Sequence, residues 1–187
     1  LDGQHVVDAV GLRGQEIELH MSFSLAPSEW VRSLEIIVKR LELALVSIIP
    51  HHAAYSSPIA DAAGLVITLD QEYTLISMAS HGHLEWTTLA EAGERQIMGT
   101  TAEGIGLRAR QADALMRAFR AGQLRPEVEI EVARSFWRAL RHWMTAMAQR
   151  VQAIAHDKEM PHRIYYLDLT RRLPEARASL ETPFWEQ

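Results

Sequence analysis

The sequence contains no cysteine. Disulfides, thiolate nucleophiles and cysteine-held metals are therefore excluded, although that absence does not fix the compartment. No apolar run approaches the roughly 18–20 residues that cross a bilayer, and no secretory signal pattern is read ahead of the fold. The net charge is −5, which argues against a nucleic-acid surface, because phosphate neutralisation needs grouped Lys and Arg. Neither a G-x-S-x-G elbow nor an H-E-x-x-H pair occurs, so a serine hydrolase and a zincin have no footing. Glycine is missing where it would matter most. The stretch GLVITLDQEYTLISMASHGHLEWTTL, residues 64–89, reads as strand, polar turn and strand, yet holds no glycine between Gly64 and Gly82. Main-chain N–H groups that cradle a phosphate need such small residues. The stretch is either a plain hairpin or a phosphate loop without its glycines.

What is present suits an α/β globular chain. With 187 residues, 48% of them hydrophobic, it can bury one sizeable core or two small ones. The first residue is Leu1 rather than Met, and the chain is expected to be part of a longer protein. Strands are expected at His5–Ala9 and Glu16–Phe23, turned around Gly11 and Gly14. A helix should follow Pro27, since Trp30, Leu34, Ile37 and Leu41 fall at helical spacing. ALVSIIP is expected to be a short buried strand ended by Pro50, and AAYSSPIADAAG a short helix or loop. Three strands should follow, at Leu65–Leu69, at Tyr73–Met78 and from Leu84. Two helices between about 95 and 119 should break near Gly104-Ile105-Gly106. From Pro126 to about His156, Val132, Phe136, Leu140, Trp143, Met147, Val151 and Ile154 recur at steps of three or four. This predicts one long helix with an apolar stripe, packed as a core element rather than as a cofactor box. HRIYYLDL reads as a further strand and RLPEARASLE as a final helix.

Several clusters invite chemistry, and each has a plainer reading. His51-His52 and His81-Gly82-His83 lack the three or four converging ligands that a metal needs, and read as loop histidines in solvent. Glu16 with Glu18, and Asp70 with Glu72, are carboxylate pairs on strand faces and turns, and read as polar surface. RSFWRALRHW mixes arginine with tryptophan in a way that suits base stacking, but its aromatics are assigned to the apolar stripe and to core packing.

The order of elements and five short motifs together resemble the second half of an actin-like protein, most closely the bacterial cell-division protein FtsA. LDGQHVVDAVGLRGQEIELHMSFSLAP is similar to a family stretch in which a DG strand leads into a G-x-x-G turn, with Asp2-Gly3 and Gly11-Leu12-Arg13-Gly14 in place. LALVSIIPHHAAYSS matches a P-x-A-x-A passage at Pro50, Ala53 and Ala54. Residues 64–89 stand where the family has its second phosphate loop, LRARQADALMRAF where it has an A-E-x-x-K helix, and RIYYLDLTRRLP where it has a G-G adenosine segment.

The resemblance implies an actin-like (ribonuclease H-like) fold with a mixed sheet and flanking helices. Residues 1–62 would form a small strand–strand–helix–strand interaction subdomain of the SHS2 or 1C kind. Residues 63–187 would form domain 2, with a reduced 2B part because only about ten residues, RAFRAGQLRP, stand where the family has a β-ribbon. The family's nucleotide contacts are carried over by position. Thr68 replaces the leading acid of the phosphate loop, Asp70 to Glu72 replace its glycines, and Thr74 keeps its threonine. Asp113 keeps an acid on the nucleoside helix, but Met116 replaces the lysine. Asp168 and Leu169 replace the glycine pair, followed by Thr170. These departures imply that ATP and Mg²⁺ are not bound, that no catalytic residue exists, and that the chain is a non-enzymatic adaptor or scaffold. Implied partners are proteins: an FtsZ-like protein, other division or pilus components, and further copies of itself. The implied location is cytoplasmic, peripheral at the inner membrane. A PilM-like pilus adaptor and an active ATPase or phosphotransferase with an upstream phosphate loop are the alternatives.

Overall fold

The computed structural model describes residues 10–11, 13–15, 24–56, 63–80, 83–154 and 160–181, with His52, Ser56 and His83 described for their backbone alone. The expected strands His5–Ala9 and Glu16–Phe23 lie outside the described residues. The chain divides into two compact units, Leu1–Pro50 and His51–Gln187.

In the first unit, helix α1 spans Ser28–Arg40. Glu29 in its first turn and Lys39 and Arg40 in its last complement the helix dipole. The helix stops at Glu42, which takes a left-handed φ of 55°. The strand expected over ALVSIIP does not form. Those residues carry no ladder partner among the described residues, Val46 and Ile49 are exposed, and the Leu43 N–H instead bonds back to the Val38 carbonyl at 3.0 Å. A β-branched apolar run suits a strand, but only a partner makes one.

The second unit is built on four strands, β1 (Gly64–Leu69), β2 (Thr74–Ser80), β3 (His83–Ala90) and β4 (Ile164–Asp168), in the order β3-β2-β1-β4. β1 pairs antiparallel with β2 and parallel with β4, so the sheet is mixed. β1 is buried along its whole length, which explains its unbroken Leu-Val-Ile-Thr-Leu run. The alternating pleat sends Leu65, Ile67 and Leu69 to one face, into the main core, while Val66 joins Ala79, Leu167 and Tyr55 on the other. Tyr55 comes from α2 (His51–Ser56), which covers that second face.

The main core is closed by α3 (Glu94–Glu103), α4 (Ala112–Arg120), α5 (Pro126–Ile154) and α6 (Pro174–Leu180). α5 runs 29 residues, about 43 Å at 1.5 Å per residue. Its stripe is as expected: Val132, Phe136, Leu140, Trp143, Met147 and Val151 are buried. Trp137, however, leaves the stripe and is 47% exposed, which corrects the assignment of that run's aromatics to the core. The break after α3 falls where glycine predicts it. Gly106 takes a φ of +77°, and a Cβ on Gly104 would stand 2.0 Å from Ser135 Oγ on α5. Residues 121–125 alone join α4 to α5.

Candidate functional site

β1 and β2 are joined by a tight turn in which the Asp70 N–H donates to the Tyr73 carbonyl at 2.9 Å. The turn is closed from outside by helix α3. The first N–H groups of a helix have no partner within it and carry its positive end. Here Glu94 N–H donates to the Asp70 carbonyl (3.0 Å) and Arg95 N–H to the Gln71 carbonyl (2.9 Å). Such an approach requires glycine at the helix N-cap. A Cβ on Gly93 would lie 2.4 Å from both the Glu72 carbonyl carbon and the Tyr73 nitrogen.

Below the turn, Thr74 is fully buried and joins three elements. Its hydroxyl donates to the Ala92 carbonyl at 2.6 Å, ahead of α3, and accepts the Trp143 indole N–H at 2.8 Å from α5. Asp70 and Glu72 stay at the turn's surface, and Glu72 pairs with Arg95. Asp70 also acts on its neighbour: burial first, then the negative Asp70 carboxylate and a hydrogen bond to it, raise the Tyr73 phenol above its ordinary range.

β4 ends beside this turn, with Asp168 in register with Leu69 and the Leu169 N–H donating to the Leu69 carbonyl at 3.0 Å. The Asp168 carboxylate gathers the loop that follows. Its Oδ1 accepts from the Thr170 N–H (2.9 Å), the Thr170 hydroxyl (2.7 Å) and the Arg171 N–H (2.9 Å), and its Oδ2 from the Leu173 N–H (3.2 Å). Arg171 takes a left-handed φ of 56° to allow it. The main-chain nest of this loop thus closes on the chain's own carboxylate. Two strand positions earlier, the Tyr166 hydroxyl is buried with no partner among the described residues, and burial together with the Asp168 charge raises its pKa far above 10.0.

Arg172 connects the two loops. Its guanidinium lies 3.5 Å from Glu94 Oε1 at the start of α3 and 3.4 Å from Asp113 Oδ2 on α4. Glu94 is nearly fully buried, so it depends on that cation. A bidentate pair, Arg120 to Glu175 at 2.8 Å on both oxygens, ties α4 to α6 nearby.

The residues singled out from sequence separate into two groups. Asp70, Asp113, Asp168, Leu169 and Thr170 belong to this one network or border it. Thr68 is buried inside β1, on the pleat opposite Leu69, and Met116 is buried in the core. Leu169 is 40% exposed and stands at the network's edge. Glu94, Arg172 and Gly93 were not singled out, and Trp143 was read only as a stripe residue of the long helix. Only Gly93 ahead of the acid Glu94 carries a local signal, that of a helix start. Of the histidines, His51 is exposed and packs edge-on to Tyr55 at 5.9 Å, while His81 and the side chains of His52 and His83 lie outside what is described. Among the described residues no three His, Asp or Glu side chains are grouped to hold a metal, and no helix is long and apolar enough to cross a membrane.

This architecture, a mixed sheet between helices with two loops meeting at the carboxyl ends of its parallel strands, is the actin-like fold. No family model and no curated protein matches the chain. Among solved structures it is similar to ethanolamine utilization protein EutJ from Carboxydothermus hydrogenoformans, at a TM-score of 0.53 and 17% identity over 74% of this chain and 47% of that one. It is also similar to a chain of a PilM-PilN type IV pilus biogenesis complex, at a TM-score of 0.55 and 14% identity over 82% and 44%. The chain spans less than half the length of either.

Proposed function

We propose that this chain is a non-enzymatic adaptor of actin-like fold, akin to FtsA, whose nucleotide pocket is filled by its own side chains. One observation carries the reading: the groups that would meet a nucleotide already have internal partners. The first N–H groups of α3 are taken by turn carbonyls, and the nest after β4 by Asp168. The Arg172 guanidinium, between the two loops, is taken by Glu94 and Asp113. A phosphate arriving there would displace hydrogen bonds already made and meet three carboxylates. Function then lies in protein contacts, with an FtsZ-like protein, another division component, or further copies of the chain.

A PilM-like role is the second reading. The similarity to the PilM-PilN complex and the five-residue turn between α4 and α5 favour it. Pull-down with an FtsZ tail peptide against pilus assembly partners separates the two. Nucleotide use is tested by thermal shift with Mg-ATP on the full-length protein. A binder at 100 times its Kd gains about 2.7 kcal/mol of stability, whereas an adaptor of this kind gains none. A clear rise in melting temperature with Mg-ATP would favour the ATPase alternative and overturn this reading.

A further inference from the structure

The outer face of α5 carries a feature that the filled pocket does not explain. Between Val132 and Ile154 the helix has four arginines and no carboxylate, on a chain whose net charge is −5. Arg134, Arg138 and Arg141 are exposed and share one face with Trp137, at steps of three and four. Ile130, 59% exposed, extends the row one turn earlier. None of the three guanidiniums has a carboxylate within ion-pairing distance among the described residues. An exposed tryptophan ringed by arginines has the composition of an interface anchor, since Trp and Arg dominate binding energy where they are desolvated. Trp137 packs only in part, tilted against Phe136 at 6.1 Å, and leaves 47% of its surface exposed beside cations with no ion-pair partner among the described residues.

We infer that this face docks an acidic amphipathic segment of a partner protein, with carboxylates on Arg134, Arg138 and Arg141 and an apolar side chain against Trp137 and Ile130. Charge complementarity selects that occupant. A long polyanion would meet the negative field of the whole chain, whereas a short acidic segment feels mainly the local row, because charges beyond about 8 Å are screened at physiological salt. Glu127, Glu129 and Glu131 crowd the start of the helix, so the partner's carboxylates must lie on the C-terminal side of Glu131. The row from Ile130 to Arg141 is about 16 Å long, three turns of a docked helix. This surface is separate from the pocket, so it stands or falls independently of the nucleotide reading.

The test is fluorescence anisotropy with a labelled helical peptide of repeated Glu-Glu-Leu-Leu-Glu-Glu-Leu, titrated with the 187-residue chain. Saturable binding is expected, weakened at least tenfold by R134S/R138S/R141S and by W137A, and unchanged by R110S on another surface. A peptide with lysine for glutamate should not bind the unaltered chain, a comparison that holds even if a variant folds poorly. Equal binding of both peptides, or binding indifferent to the arginine and tryptophan changes, overturns the inference. So does tighter binding of vesicles containing phosphatidylserine, or of oligothymidylate, to the same face.

Discussion

Replacing Thr74 by valine isolates the buried junction between the hairpin, α3 and α5. Valine keeps the shape and deletes one hydroxyl, but that hydroxyl serves two buried groups, the Ala92 carbonyl at 2.6 Å and the Trp143 indole N–H at 2.8 Å. Thr74, Ala92 and Trp143 are all buried, so water does not replace what is lost. An orphaned buried donor or acceptor costs about 1–3 kcal/mol, so two together should destabilise by about 2–6 kcal/mol. For a chain of this size the melting temperature should fall by roughly 4–24 °C. Urea unfolding should show a lower midpoint at an unchanged slope, because the surface exposed on unfolding stays the same. Trp143→Phe removes only one of the two bonds but leaves a cavity. Combined with Thr74→Val it should cost less than the sum of the single changes, since both delete the same hydrogen bond. A loss below 1 kcal/mol for Thr74→Val, or strict additivity in the pair, would refute the junction.

Other consequences are open to the same measurements. Asp168→Ala strips the loop after β4 of an acceptor for four donors and should destabilise by about 2–4 kcal/mol, whereas Asp168→Asn should cost less because one oxygen remains. Gly93→Ala places a Cβ 2.4 Å from the backbone of Glu72 and Tyr73, and should cost more than 2 kcal/mol by denaturant titration. Tyr166→Phe removes a buried hydroxyl without a partner among the described residues, and should leave stability unchanged or raise it by up to about 1–2 kcal/mol. The same residue gives an alkaline signature: its phenol pKa is raised in the folded state. The stability that it contributes is therefore present in full below the ordinary value of 10.0 and lost as pH rises above it. Tyr166→Phe should flatten that loss in melts from pH 9 to 12.

The parts of the fold legible in sequence are those whose cause is local or periodic. The stripe from Val132 to Val151, the apolar run of β1 and the glycine break after α3 each follow from backbone geometry acting over a few residues. Residues 44–49 misled because strand character depends on a partner elsewhere in the chain, which no local pattern supplies. Trp137 misled because it follows the stripe residue Phe136 by a single 100° step, and that step turns its ring outward. The site was half legible. Asp168, Asp70 and Asp113 stand out as acids at family positions, but Arg172, which joins α3 to α4, reaches Glu94 and Asp113 across 78 and 59 residues. Contacts at such separations exist only after folding.

Asp168's closure of its own loop bears on how readily the space beside β4 could be opened. Single substitutions toward glycine, such as Asp70→Gly or Leu169→Gly, would open space along the main chain while Glu94 and Asp168 kept their present bonds. Removing Asp168 first would strand its four donors with nothing in exchange, and removing Glu94 would leave Arg172 to Asp113 alone. Emptying the space between the two loops therefore takes coordinated changes, since loss of Asp168 alone leaves a less stable chain.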